Sequence, residues 1–184
     1  MRAREHTGRA LDQYVAASAR LGNAKAFELL VRRWNGKLAA HAWRLLGDTD
    51  LAREAVQEAW VEIVRGLPTL ADPAAFPAWA YRIVSRRCFR LIGGIRRDRQ
   101  LGEALALEPV ETGSDGAGEQ DARLRLRAAI AALPPEQGAA IALFYLEELS
   151  VAEVAVALDV PAGTVKTRLM HARRKLRSAL EGEV

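Results

Sequence analysis

The sequence predicts an all-α protein: two small helical domains joined by a flexible acidic linker. Three observations predict it. Half of the 184 residues are hydrophobic and only 6% are aromatic, with alanine throughout, a composition that favours helix over sheet. Apolar residues recur at three- and four-residue spacing along most of the chain. The net charge of +4 is also unevenly distributed: residues 1–97 hold seventeen bases and nine acids, 98–122 hold one base and seven acids, and 123–184 hold nine bases and seven acids. Within the acidic stretch, Pro109, Thr112, Gly113, Ser114, Asp115, Gly116 and Gly118 leave too little apolar surface to order it. The boundaries that follow are a domain over 1–97, a linker over 98–121 and a second domain over 122–184.

Residues 10–22 give a short helix with Leu11, Val15 and Ala19 on its apolar side. After Asn23 a stronger pattern, Phe27, Leu30, Val31, Trp34, Leu38, Ala42, Leu45 and Leu46, runs to a glycine stop at Gly47, with Asn35-Gly36 as a point of interruption. The next helix spans Asp48 to Leu67, capped by Thr49 or Asp50, with acids near its start that suit the helix dipole. Its apolar half carries Leu51, Ala52, Ala55, Val56, Ala59, Trp60, Ile63 and Leu67; its other half carries Glu54, Gln57, Glu58, Val61 and Arg65. By pattern alone that second half is an ordinary solvated face.

Residues 66–75 hold Pro68, Thr69, Asp72 and Pro73 and form a loop before a helix from Phe76 to about Ile92. In that helix Phe76, Trp79, Tyr81 and Phe89 alternate with Arg82, Arg86, Arg87 and Arg90. Rings among arginines suit single-stranded nucleic acid, since bases stack on rings while cations follow the backbone. Rings at helical spacing also suit a plain core, and the spacing leaves both open.

Beyond the linker, Ala122 to Leu133 is helical with Leu124, Leu126, Ile130 and Leu133 inward. Pro134-Pro135 breaks it and starts the next helix, whose apolar part is Ile141, Leu143, Phe144 and Leu146. Ser150, with Glu153 three residues on, opens a short helix over Val151 to Leu158. Asp159-Val160-Pro161 ends it, with aspartate at a turn position where glycine is usual. The run Pro161 to Leu180 then carries Lys166, Arg168, Arg173, Arg174, Lys175 and Arg177 and no acid. Wound as a helix, it puts Val165, Leu169, Ala172 and Leu176 on one stripe and Thr167, His171 and Arg174 opposite, flanked by Thr164, Lys166, Arg168 and Arg173. Two short helices with a tight turn, the second basic, describe a helix-turn-helix that places the second helix in the DNA major groove. A basic helix closing a bundle or lying on a membrane is the plainer alternative.

Other classes find less support. Cys88 is the single cysteine, so there is no disulfide framework and a reducing compartment is expected. No apolar run approaches the ~20 residues that span a bilayer, and Met1 to Gly8 lacks an apolar signal core, so a cytoplasmic protein without a membrane segment is expected. His6, His41 and His171 stand apart from ligand partners. No catalytic constellation, phosphate loop, metal site or cofactor site is found, and a non-enzymatic role is expected.

Several ordered motifs together resemble the sigma-70 family of bacterial RNA polymerase sigma factors, in its two-domain extracytoplasmic function (ECF) group. The residues that carry the resemblance are 26–34 (AFELLVRRW), 50–60 (DLAREAVQEAW), 76–83 (FPAWAYRI), 133–137 (LPPEQ) and 163–169 (GTVKTRL). It implies a first domain similar to sigma region 2 and a second similar to sigma region 4. By resemblance, Glu54, Gln57, Glu58 and Val61 face the clamp of core RNA polymerase. Phe76, Trp79, Tyr81, Arg82, Arg86, Arg87 and Arg90 take the -10 element and assist melting. Thr164, Lys166, Thr167, Arg168, His171, Arg173 and Arg174 read the -35 element. The partners implied are bacterial core RNA polymerase, promoter DNA and an anti-sigma factor. Arg86 and Arg90 stand where the family often has asparagine and aspartate, and His171 where arginine is common, so base preference is expected to differ there. The alternatives are a free-standing helix-turn-helix regulator and a helical interaction scaffold.

Overall fold

Side-chain caps and a left-handed glycine set the ends of the two helices at the centre of the N-terminal unit. In the computed structural model, which describes residues 2–101, 126, 128–130 and 132–181, the Asn23 side chain accepts the N–H of Ala26 at 3.1 Å and starts α2 (Ala24–Leu46). α2 runs unbroken through Asn35-Gly36. It ends at Gly47, whose φ of 70° lets its N–H return to the Trp43 carbonyl at 2.8 Å. Because Gly47 has already turned the chain, Asp48 is the first extended residue. Its carboxylate therefore caps α3 (Thr49–Gly66), accepting from Asp50 and Leu51 at 2.8 and 2.9 Å, in place of the expected Thr49 or Asp50.

α1 (Arg2–Arg20) begins earlier than residue 10. It packs on α2 through Val15, Ala16 and Ala19, while Leu11 is exposed. The expected loop after α3 is two 3₁₀ turns, Leu67–Thr69 and Pro73–Ala75, the second capped by Asp72. α4 (Phe76–Leu101) passes through Gly93 and Gly94, so it enters the stretch expected to be linker. The remainder of the linker, with Leu124 of the following helix, lies outside the described residues. Leu30, Trp34, Leu38, Ala42 and Leu45 of α2 meet Ala55, Ala59 and Ile63 of α3 and Phe76, Tyr81 and Val84 of α4 in a buried core. At about 1.5–3 kcal/mol for each fully buried large side chain, this core dominates the unit's stability.

In the C-terminal unit Leu126 is exposed and Leu133 buried. α5 (Pro135–Ile141) continues as a π-turn, Ala142–Leu146, in which Leu143 is buried while Leu146 is exposed, contrary to the apolar pattern. α6 (Val151–Leu158) carries the expected capping box: Ser150 N–H donates to Glu153 at 2.7 Å and Glu153 N–H to Ser150 Oγ at 3.2 Å. Asp159 makes the turn at φ 55°, and α7 (Ala162–Glu181) follows, burying Val165, Leu169 and Ala172 against α5 and α6. The two units touch, α6 packing along α4 and α5 along α2. Among the described residues there is no strand, and no helix is long and apolar enough to cross a membrane.

Candidate nucleic-acid and polymerase surfaces

α7 exposes a basic stripe because its apolar stripe is taken up by α5 and α6. Lys166, Thr167, Arg173 and Arg174 are exposed, and Thr164 and His171 are half-buried beside them. The Thr167 hydroxyl donates to the Gly163 carbonyl at 3.1 Å, Arg173 Nε to the Leu169 carbonyl at 3.2 Å, and Arg174 lies 3.2 Å from His171 Nδ1. Arg168 differs. Its side chain is only 18% exposed and pairs with Glu136 at 3.0 Å, which fixes α7 to the start of α5. Met170, 52% exposed in the middle of the basic stripe, was not among the expected residues. Its apolar type in a polar stripe was the available signal.

The ring-and-arginine helix α4 separates into a core side and a solvent side. Phe76 and Tyr81 are 0% exposed. Trp34 stands edge-on to both, at 5.4 and 5.8 Å, so in this arrangement neither ring offers a face to a base. Here the core alternative prevails, because α4 must cover the Trp34 side of α2. Trp79 is half-buried, tilted against Phe76 at 6.1 Å and lying over Gly66, where an added Cβ would stand 2.9 Å from Trp79 Cζ2. Arg87 is drawn to α3, donating to Glu58 at 2.7 Å and Glu62 at 2.9 Å; hydrogen bonding to Glu62, the larger cause, raises its pKa further. Arg82 pairs with Asp159 at 2.9 Å. Arg86 and Arg90 are exposed.

Beneath these bases is a buried polar pair that spacing did not single out. His41 Nε2 lies 2.8 Å from Ser85 Oγ, and its ring meets Tyr81 edge-on at 5.1 Å. Burial, then the Arg44 charge, pushes the His41 pKa down to about 3, so it is neutral at physiological pH. Burial, then the Glu147 carboxylate, raises that of Tyr81; burial pushes the Cys88 thiol up to about 12. His41 continues the inward arc of Leu38, Ala42 and Leu45, and that was the signal for it. Among the described residues no cluster of His, Cys, Asp or Glu could hold a metal.

On α3, Glu54, Gln57 and Val61 are exposed, Val61 by 50%, while Glu58 is engaged with Arg87. Gln57 also borders an open groove of about 550 Å³ between α2 and α3, lined by Asn35, Ala39, Trp43, Ala52 and Arg53. Trp43, 47% exposed, was missed because it lies outside the apolar stripe of α2.

Family comparison matches residues 30–98 to sigma-70 region 2 and residues 123–176 to sigma-70 region 4. The ECF RNA polymerase sigma-E factor of Escherichia coli (strain K12) is 30% identical over 176 residues, covering 90% of this chain and 92% of that protein. The chain belongs to the sigma-70 family, in the ECF group. This sigma factor is also 27% identical over 181 residues to the RNA polymerase sigma-H factor of Pseudomonas aeruginosa, covering 92% of this chain and 94% of that one. Among solved structures, the sigma factor is similar in fold to RpoE in its complex with the anti-sigma factor NepR from Bartonella quintana. That match has a TM-score of 0.72 at 22% identity and covers 88% of this chain and all of that one. CnrH, in complex with the cytosolic domain of CnrY, superposes with a TM-score of 0.64 at 26% identity over 95% of this chain and 99% of that one.

Proposed function

We propose that this sigma factor binds core RNA polymerase and directs initiation at promoters with -10 and -35 elements, contributing contacts rather than bond chemistry. The observation that carries it is the division of α7, with Val165, Leu169 and Ala172 buried on one side and Lys166, Thr167, Arg173 and Arg174 exposed on the other. Such a helix enters a major groove with cations to phosphates and its N-terminal residues to base edges. Arg82, Arg86 and Arg90 of α4 follow the non-template strand near the start site. Trp79, half-buried over Gly66, supplies the edge against which an unstacked base rests, offsetting an unstacking cost of a few kcal/mol. Glu54, Gln57 and Val61, with the Trp43 groove beside them, face the polymerase clamp. Two modest DNA contacts held on one polymerase gain selectivity through effective concentration.

Two similar chains were solved with anti-sigma partners, RpoE with NepR and CnrH with CnrY. By that likeness this factor acts in the cytoplasm under an anti-sigma protein of its own, and affinity purification from its source cells is expected to recover one. The function is tested by adding the protein to bacterial core polymerase and footprinting genomic fragments. Protection of paired upstream elements only when both are present supports the role. Protection by the protein alone favours a free-standing regulator, and none at all favours a scaffold.

A further inference from the structure

A single side chain from outside reaches the loop between α3 and α4. Arg20, the last residue of α1, donates from Nη1 to the Leu70 carbonyl at 3.0 Å and to the Ala71 carbonyl at 3.3 Å, fifty and fifty-one residues along the chain. Among the described residues the loop's other hydrogen bonds are local. Leu70 N–H donates to the Leu67 carbonyl, Thr69 Oγ1 to the Gly66 carbonyl, Ala75 N–H to the Asp72 carbonyl and Ala74 N–H to the Asp72 carboxylate. These close the two 3₁₀ turns. They leave the carbonyls of Leu70 and Ala71, which lie between the turns, to Arg20.

Helix-end electrostatics does not require this reach. A base in the last turn of α1 favours the helix dipole wherever its side chain lies. Gly22, at φ 88°, turns the chain from α1 into α2, and Arg20 is left beside the two 3₁₀ turns, on which α1 also packs. There the side chain is half-buried. A hydrogen bond from a charged donor is about twice as strong as a neutral one, so this contact can fix a link that has no local tie.

The link borders the ring proposed above to meet an unstacked base. The loop leaves Gly66 beneath Trp79 and re-enters helix at Phe76, whose ring lies 6.1 Å from that of Trp79. Ala71 and Asp72 are exposed in the middle of it. The Asp72 carboxylate, which already caps Ala74, has lone pairs to spare for the exocyclic amine of a base.

We propose that Arg20 is a positioning residue for base recognition at the -10 element. By holding the Leu70 and Ala71 carbonyls it sets how residues 70–72 stand against the Trp79 edge, and so which unstacked base the two sides accept. Arg20 itself touches no base. This role rests on the α4 contacts with the non-template strand proposed above.

The test is transcription by core polymerase and the full-length chain from a barcoded promoter library, built on a promoter active with the wild type and randomised at each -10 and -35 position. The chains compared are the wild type, Arg20→Met, Arg20→Ala and Arg20→Lys. Methionine keeps most of the stem and loses the donors. In Arg20→Met and Arg20→Ala the output ratio between the best and worst base at one -10 position is expected to fall by about five- to ten-fold, with the -35 ratios unchanged. Arg20→Lys, which keeps a cation and its donors, is expected to recover part of the loss. An equal loss of output for every base in Arg20→Met overturns the role, because a missing phosphate contact or a weakened fold acts on all bases alike. Discrimination lost in Arg20→Ala but kept in Arg20→Met also overturns it, since packing of the stem then carries the effect. No transcripts from any library member with the wild type defeats the proposed function, and this role with it.

Discussion

Arg87 on α4 is joined to Glu62 on α3 at 2.9 Å, and the same guanidinium reaches Glu58 at 2.7 Å. A base that the family resemblance gives to the -10 element thus ties α4 to α3. Two carboxylates around one planar fork make a more specific contact than a lone surface pair. Arg87→Ala is expected to lower stability in urea by about 1 kcal/mol, and Arg87→Lys to recover less than half of the loss, because a point charge cannot fork. Unchanged urea midpoints for both would release Arg87 to the DNA surface.

The same contact separates two acidic residues that spacing had grouped. Glu58→Lys would set two cations together beside Arg87 and is expected to destabilise the bundle. Glu54→Lys changes an exposed residue with no such partner among the described residues. Affinity for core polymerase is expected to fall about ten-fold or more in Glu54→Lys with an unchanged melting temperature, as for a like charge set against a complementary surface. Full affinity would remove that face from the interface.

His41 gives a pH dependence of definite sign. Its ordinary pKa of 6.5 falls to about 3 in the folded chain. Below 6.5 the unfolded chain therefore takes up a proton that the native state refuses, and stability falls as pH drops towards 3 and is flat from this group above 6.5. The slope from this residue approaches about 1.4 kcal/mol per pH unit in the middle of that window. His41→Gln, which stays neutral and can still meet Ser85, is expected to lose that component. Wild-type and variant stability curves that run parallel between pH 4 and 6 would contradict a buried neutral imidazole.

On α7, Lys166 and Arg168 are two residues apart and differ in surroundings, Lys166 being exposed and Arg168 paired with Glu136. Lys166→Ala is expected to weaken promoter binding uniformly and reduce the slope of log affinity against log salt by about one. Arg168→Ala is expected to loosen α7 from α5 through the lost Glu136 contact, lowering the melting temperature while changing the salt slope less. Measuring slope and melting temperature in both variants distinguishes these roles.

Periodicity made much of this architecture readable. Leu30, Trp34, Leu38, Ala42 and Leu45 form an inward stripe through local geometry, and Ser150 with Glu153 forms a cap within one turn. Ion pairs were not readable, because Arg87 finds Glu58 and Glu62, Arg168 finds Glu136 and Arg82 finds Asp159 only after distant helices pack. Phe76 and Tyr81 among arginines left a stacking platform and a plain core both open, because a core helix flanked by solvated bases has the same spacing. Which side of α4 is covered depends on α2, and the local pattern does not encode that choice. The groove beside Trp43 was hidden for a related reason: an exposed aromatic off the apolar stripe becomes informative only once α3 forms the other wall.

Promoter-specific initiation is open to a direct test by run-off transcription. Bacterial core RNA polymerase would be supplied with a pool of source-genome fragments, with and without this protein. The predicted result is a set of transcripts with defined start sites that appear only when the protein is present and share two spaced upstream elements. Identical transcripts with and without it, from a preparation shown to bind core polymerase, would contradict the account.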